Sequence, residues 1–159
     1  MTRALAVLAF LLPEVAFALS CLPSNAAITL DRMLAQGQDA RIAIGVMHAM
    51  GSAPTQLRQD HTAIYAFDGV ILTGSGWRTI EGMQISARVS CVSSWCGSLP
   101  PERLALYVLE ETASGHDLPL HPCWEQAYPE PAPELVAALV RCQANGACEV
   151  ADFEVFEAR

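Results

Sequence analysis

Six cysteines, four histidines and three tryptophans are the residues of this 159-residue chain whose side chains could do chemistry or grip a partner. The histidines, His48, His61, His116 and His121, could serve as bases or metal ligands. None stands four residues from another, and none flanks a second ligand at metal spacing, so neither a metal site nor a histidine-centred catalytic site is expected. His116, between Gly115 and Asp117, reads as a solvent-exposed turn residue. Gly74-Ser75-Gly76 comes nearest to a nucleophile elbow but lacks its flanking pattern, and reads as a flexible loop. Glu110-Glu111 and the C-terminal Glu149, Asp152, Glu154 and Glu157 could pair carboxylates for acid–base work. Neighbours on a strand point to opposite faces, however, so these acids read as solvated. No catalytic residue and no cofactor is expected.

Cys21, Cys91, Cys96, Cys123, Cys142 and Cys148 form an even set, which in an exported chain implies disulfides with fifteen possible connectivities. Cys91-Val-Ser-Ser-Trp-Cys96 and Cys142-Gln-Ala-Asn-Gly-Ala-Cys148 are each short enough to close a local loop, and Asn145-Gly146 is a turn signal. Cys21 is left with Cys123, a long-range staple worth roughly 4 kcal/mol on chain-entropy grounds. Neither local pair has the two-residue interval of a zinc knuckle or a dithiol oxidoreductase, which argues against metal and redox chemistry.

Export is read from the first residues, MTRALAVLAFLLPEVAFALS. Arg3 supplies a positive start, residues 4–12 are unbroken apolar chain, and Ala16-Phe17-Ala18 offers a cleavage site, the three parts of a secretory signal. The expected layout is a signal peptide over residues 1–18 and a single domain over residues 19–159. The apolar run is short for a bilayer span and Pro13-Glu14 interrupts it, so stable membrane insertion after processing is not expected. A signal anchor and a lipid on Cys21 are the alternatives; lipidation would leave an odd number of thiols. The expected address is periplasmic or secreted. Nine basic side chains, all arginine, face 17 acidic ones for a net charge of −8, a balance that repels phosphate backbones and excludes nucleic acid as the expected partner.

The elements that must position these residues follow from periodicity. Residues 24–36 place Ala27, Leu30, Met33 and Leu34 on one helical face, with Ser24 as N-cap and Gly37 as the stop. Residues 41–48 alternate with Ile42, Ile44 and Val46 on one side. Residues 62–72 form a second strand bent at Asp68-Gly69, and residues 74–82 read as turn-rich chain that carries Trp77. Residues 83–91 turn Met83, Ile85, Ala87 and Val89 inward, and the run LALYVL at 104–109 suits a central strand. A turn at 114–117 leads into a strand over 118–121; residues 128–133 are proline-rich and extended, and residues 134–142 form a short helix. The tail over 148–156 reads as a last strand. The fold class expected is mainly β with two short helices, a small disulfide-stapled β-barrel.

That order resembles the netrin-like module, the OB-fold barrel of tissue inhibitors of metalloproteinases and related secreted domains. The likeness is carried by Cys21-Leu22-Pro23 before a helix, the strand through Gly45, Cys96-Gly97, the apolar strand at 104–109 and the strand ending at Cys123. In that family the first Cys is bonded into the barrel, which matches Cys21 with Cys123. The inhibitors begin Cys-x-Cys where this chain has one Cys, so their amino-terminal zinc chemistry is not implied. The segment WCGSLPPERLALYVLE is also similar to small periplasmic proteins of alphaproteobacterial type, a likeness that implies no function. Trp77, Trp95 and Trp124 fall beside turns or cysteines rather than in apolar runs, and read as loops that could contact a partner. The expected function is an exported binding module, inhibitor-like or otherwise protein-binding. The competing classes are a periplasmic hydrolase with a site assembled from dispersed residues, which would bring a His and carboxylates together in a cleft, and a structural accessory of an envelope complex, which would show a large apolar face.

Overall fold

The computed structural model describes residues 25–51, 58–100, 102–123 and 126–149. The expected signal peptide, Cys21 with its pairing to Cys123, Trp124, and residues 150–156 of the expected last strand lie outside them. In chain order the elements are α1 (Ala26–Ala35), β1 (Ala40–Ala49), β2 (His61–Thr73), β3 (Gly76–Val89), β4 (Cys91–Val92), β5 (Trp95–Cys96), β6 (Ala105–Thr112), β7 (Gly115–Leu120), β8 (Ala127–Pro129) and α2 (Pro133–Asn145).

The five long strands close on themselves. β1 pairs with β2, β2 with β3, β3 with β7, β7 with β6, and β6 returns to β1. Every pairing is antiparallel except β3 with β7. A parallel pair requires a crossover, here supplied by the β4–β5 hairpin and β6. That order is the Greek-key barrel of OB type, so the mainly-β barrel with two helices and local disulfides is the fold of the chain.

Two cores explain the sequence pattern. Ala43, Met47, Phe67, Ile85, Tyr107 and Leu109 belong to the cluster that fills the barrel. Ile42, Leu106 and Val108 face outward and pack with Leu30 and Met33 of α1 and Leu139 of α2. β6 is therefore apolar on both faces because it is buried on both, which is why its run of apolar residues is continuous. Ile42 and Ile44 do share a side of β1, and that side is the outer one, beneath the helices. Inside the barrel only Ala43, Gly45 and Met47 line β1, because the aromatic ring of Phe67 lies against Gly45.

The local signals moved in small ways. Asn25, not Ser24, caps α1: the helix starts at Ala26, and the Asn25 Oδ1 accepts from the Ile28 N–H at 2.8 Å. α2 starts at Pro133 and runs three residues past Cys142, to Asn145, because left-handed Gly146 is its stop. The Cys148 N–H donates to Asp31 Oδ1 at 3.0 Å, and Cys142–Cys148 holds the end of α2 against α1. The bend expected at Asp68-Gly69 is a bulge. The β2–β3 register shifts there, Gly82 takes φ +64°, and its N–H donates to Asp68 Oδ1 at 2.6 Å. Gly82 thus serves a bulge within β3 and not a turn; only residues 74–75 turn, and Trp77 lies inside a strand. Cys91 and Cys96 are bonded as expected, as are Cys142 and Cys148.

Tyr107 places a phenol in the barrel core, 1% exposed. Burial pushes its pKa from 10.0 up to about 12, a backbone hydrogen bond at Met47 offsetting part of the rise. The folded state favours the neutral phenol, so this contribution is complete below pH 10 and is lost as pH climbs from 10 toward 12. Two units correspond to about 2–3 kcal/mol. Urea midpoints taken at pH 9 and pH 11.5 should show about 2 kcal/mol of that fall, and Tyr107→Phe should remove most of it; an equal fall in the variant would assign the loss to other groups.

Candidate functional site

The β4–β5 hairpin is built to hold its tip still. Its register sets Cys91 opposite Cys96 and Val92 opposite Trp95, and the Cys91–Cys96 bond ties the base. The Cys91 N–H donates to Asp60 Oδ1 at 2.8 Å, and the Gly97 N–H to the Ser90 carbonyl at 3.0 Å. The Ser90 N–H and hydroxyl both donate to the Leu120 carbonyl, at 2.8 and 3.2 Å. Gly97 lies so close to the Leu120–His121 backbone that a Cβ would overlap it, which is why a glycine follows Cys96. Ser93 turns the tip at φ +58°. Above this anchored base Val92 and Trp95 stand in solvent, Trp95 at 59% exposure.

The same end of the barrel carries further apolar surface. Met50 follows the last residue of β1, Leu104 precedes β6, and both are more than half exposed. Trp77 is the second residue of β3, beside the β2–β3 turn. A strand rises about 3.3 Å per residue, so it lies at the far end of the barrel from Trp95. The three tryptophans do not form one surface: Trp77 and Trp95 sit at opposite ends, and Trp124 lies outside the described residues.

The histidines come from four separate places. His48, near the end of β1, has Nε2 3.4 Å from Asp68 Oδ2 and Nδ1 3.7 Å from Glu102 Oε2, all three side chains well exposed. His61 Nδ1 is 3.0 Å from the Gln59 carbonyl. His121 Nδ1 accepts from the Cys123 N–H at 3.1 Å. His116, expected in an exposed turn, instead pairs with Glu111 within the β6–β7 ladder and is half-buried. Burial lowers its pKa, and the Glu111 carboxylate opposes that shift in part. The turn falls at residues 113–114, two residues earlier than expected, so His116 becomes a strand residue.

Glu110 and Glu111 diverge as strand neighbours do. Glu111 pairs with Arg41 at 2.5 Å, while Glu110 pairs with Arg88 and accepts from Gln38 Nε2 at 3.1 Å; Arg88 also reaches Asp117 at 3.2 Å. Among the described residues no group of three or more His, Cys, Asp or Glu is placed to hold a metal ion. Nor is any described helix long and apolar enough to cross a membrane.

Sequence reasoning missed the concave surface. A cleft of about 240 Å³ lies between α1 and the barrel wall, lined by Thr29, Met33, Arg88, Leu120 and Gln126 among others. A second, of about 300 Å³, adjoins it and shares Leu120, His121 and Gln126. Gln126 is 6% exposed, and among the described residues its Oε1 has no hydrogen-bond partner. Nothing in the stretch around Gln126 marks it in one dimension, because strands distant in sequence make its surroundings.

No family model, curated protein or solved structure matches this chain. Fold and site together define a class: a disulfide-stapled OB-type barrel that displays a rigid apolar hairpin tip at one end.

Proposed function

We propose that the chain is an exported protein-binding module of netrin-like kind, and that it grips a protein partner through the end of the barrel bearing the β4–β5 hairpin. The observation that carries this reading is the Val92–Trp95 pair, exposed on a tip whose base is fixed by a disulfide. Tryptophan is enriched among residues that dominate binding energies, and a side chain already held in place loses little freedom on association. Met50 and Leu104 extend the apolar surface around it. The netrin-like reading is supported by the OB strand order and by one helix before the first strand and another after the last. Two disulfides fit an oxidising compartment, periplasmic or extracellular.

The test uses the oxidised full chain as bait in periplasmic or secreted extract, followed by affinity measurement on the protein captured. Trp95→Ala should weaken that affinity about 30-fold, equivalent to about 2 kcal/mol. It should leave the unfolding midpoint in place, because the side chain is mostly in water. Trp77→Ala, at the other end, should bind as the parent does. Capture undiminished by Trp95→Ala would sink the proposal, and so would a large loss of stability in that variant.

A further inference from the structure

We infer that the two adjoining clefts form one groove that binds an extended, uncharged peptide segment, read through the carboxamide of Gln126. This site does not depend on the hairpin tip described above.

The groove exists because the barrel wall splits. β7 pairs with β6 only at Glu110–Asp117, Glu111–His116 and Thr112–Gly115. From Leu118 onward β7 follows β3, and the edge of β6 that it leaves is taken by β8, with the Val108 N–H donating to the Gln126 carbonyl at 3.1 Å. Among the described residues β7 and β8 are not paired with each other, so residues 119–120 and 127–129 flank a seam, and α1 roofs one half of it. Leu120, His121 and Gln126 line both volumes, so the two lie side by side along these residues. Such a shape suits an extended chain better than a compact molecule.

The chemistry of the walls selects the occupant. Met33, Leu99, Leu120 and Ala127 offer apolar surface. The Arg88 charge at the rim is already matched, by Glu110 and Asp117. A charged ligand would have to break these pairs. Among the described residues that line these clefts the unmet group is Gln126, nine-tenths buried and lining both, with Oε1 unpartnered. A buried acceptor without a donor is costly, and native folds rarely keep one without cause. A carboxamide carries an acceptor and two donors on a torsion with broad wells, so it can turn either atom toward the groove. Its full complement is another amide, and a peptide supplies one at every residue together with apolar side chains for the walls.

The probe is the capped tripeptide N-acetyl-Ala-Leu-Ala-amide, titrated into the isotope-labelled, oxidised full chain and followed by NMR. Its ester analogue, with the central N–H replaced by oxygen, is titrated in parallel. The peptide should shift the Gln126 side-chain amide and the backbone of Leu120 and His121, and the ester should bind about tenfold more weakly. Gln126→Met keeps the length of the side chain and removes the amide. It should abolish the preference for peptide over ester and raise the thermal midpoint by a few degrees, since an unpartnered polar group is gone. Trp95→Ala should leave peptide binding unchanged, which separates this site from the hairpin tip. Equal binding of peptide and ester, or shifts confined to residues outside the groove, would overturn the inference without recourse to any variant. A Gln126→Met protein that is less stable than the parent would overturn it as well, by making the amide a structural partner.

Discussion

Phe67→Ala will lower the stability of the barrel by about 4 kcal/mol. The side chain is fully buried, and its ring meets that of Tyr107 edge to face with centroids 6.0 Å apart. It lies against Gly45, and its neighbours Ile85, Leu109 and Leu118 come from three other strands. A closed barrel has no loose wall that can move inward, so the space left by the ring persists as a cavity. Phe67→Leu keeps most of the volume and should cost about 1–1.5 kcal/mol. Urea unfolding followed by circular dichroism measures both. Against a typical total of about 5–15 kcal/mol, the alanine variant should show a midpoint far below that of the parent; a shift equivalent to less than about 1 kcal/mol would mean that the ring does not fill the barrel.

Gly45→Ala will be destabilising by about 3 kcal/mol, although alanine is normally the better residue inside a strand. Gly45 and Gly69 face each other in the β1–β2 ladder, and the Phe67 ring crosses that point. A Cβ on Gly45 would overlap the Asp68 carbonyl oxygen and the Phe67 ring together. The ring can adjust but the backbone oxygen cannot, so Phe67→Leu in the same chain should not restore parental stability. Gly74→Ala is the control. A Cβ there meets nothing within 4 Å, and its backbone is not left-handed. It should fall within about 0.5 kcal/mol of the parent. Equal midpoints for the two alanine variants would show that β1 and β2 are not pressed together at Gly45.

These two positions, one filled and one left empty, keep the five strands in register. That register carries Ser90 past the end of β3 to the Leu120 carbonyl and presses Gly97 onto β7. The hairpin tip is held by backbone contacts to the barrel as well as by its own disulfide. Rigidity of the knob and packing of the barrel are consequently linked, and variants of Phe67 or Gly45 should loosen both.

Much of the architecture was legible in one dimension. The alternation of Met83, Ile85, Ala87 and Val89 is determined by a strand with one face in the barrel, and these side chains do face or pack against its core. The unbroken run at 104–109 required a strand buried on both sides, and β6 is that strand. Gly37 and the two local cysteine pairs act over a few residues, so their consequences were readable from spacing alone. What only the tertiary structure decided involves choices between equally apolar faces or between distant segments. β1 offers Ala43 and Met47 on one side and Ile42 and Ile44 on the other; the larger pair faces outward because the Phe67 ring and its two glycines take the room inside. Trp77 and Trp95 share a sequence character, yet a 14-residue strand sends them to opposite ends. Gln126 is an ordinary residue until β8 takes the edge of β6 that β7 leaves, and its burial is a property of that seam. Local signals survive in sequence because they act through neighbouring backbone. A groove or a crowded glycine depends on which strands meet, and that is settled by closure of the barrel.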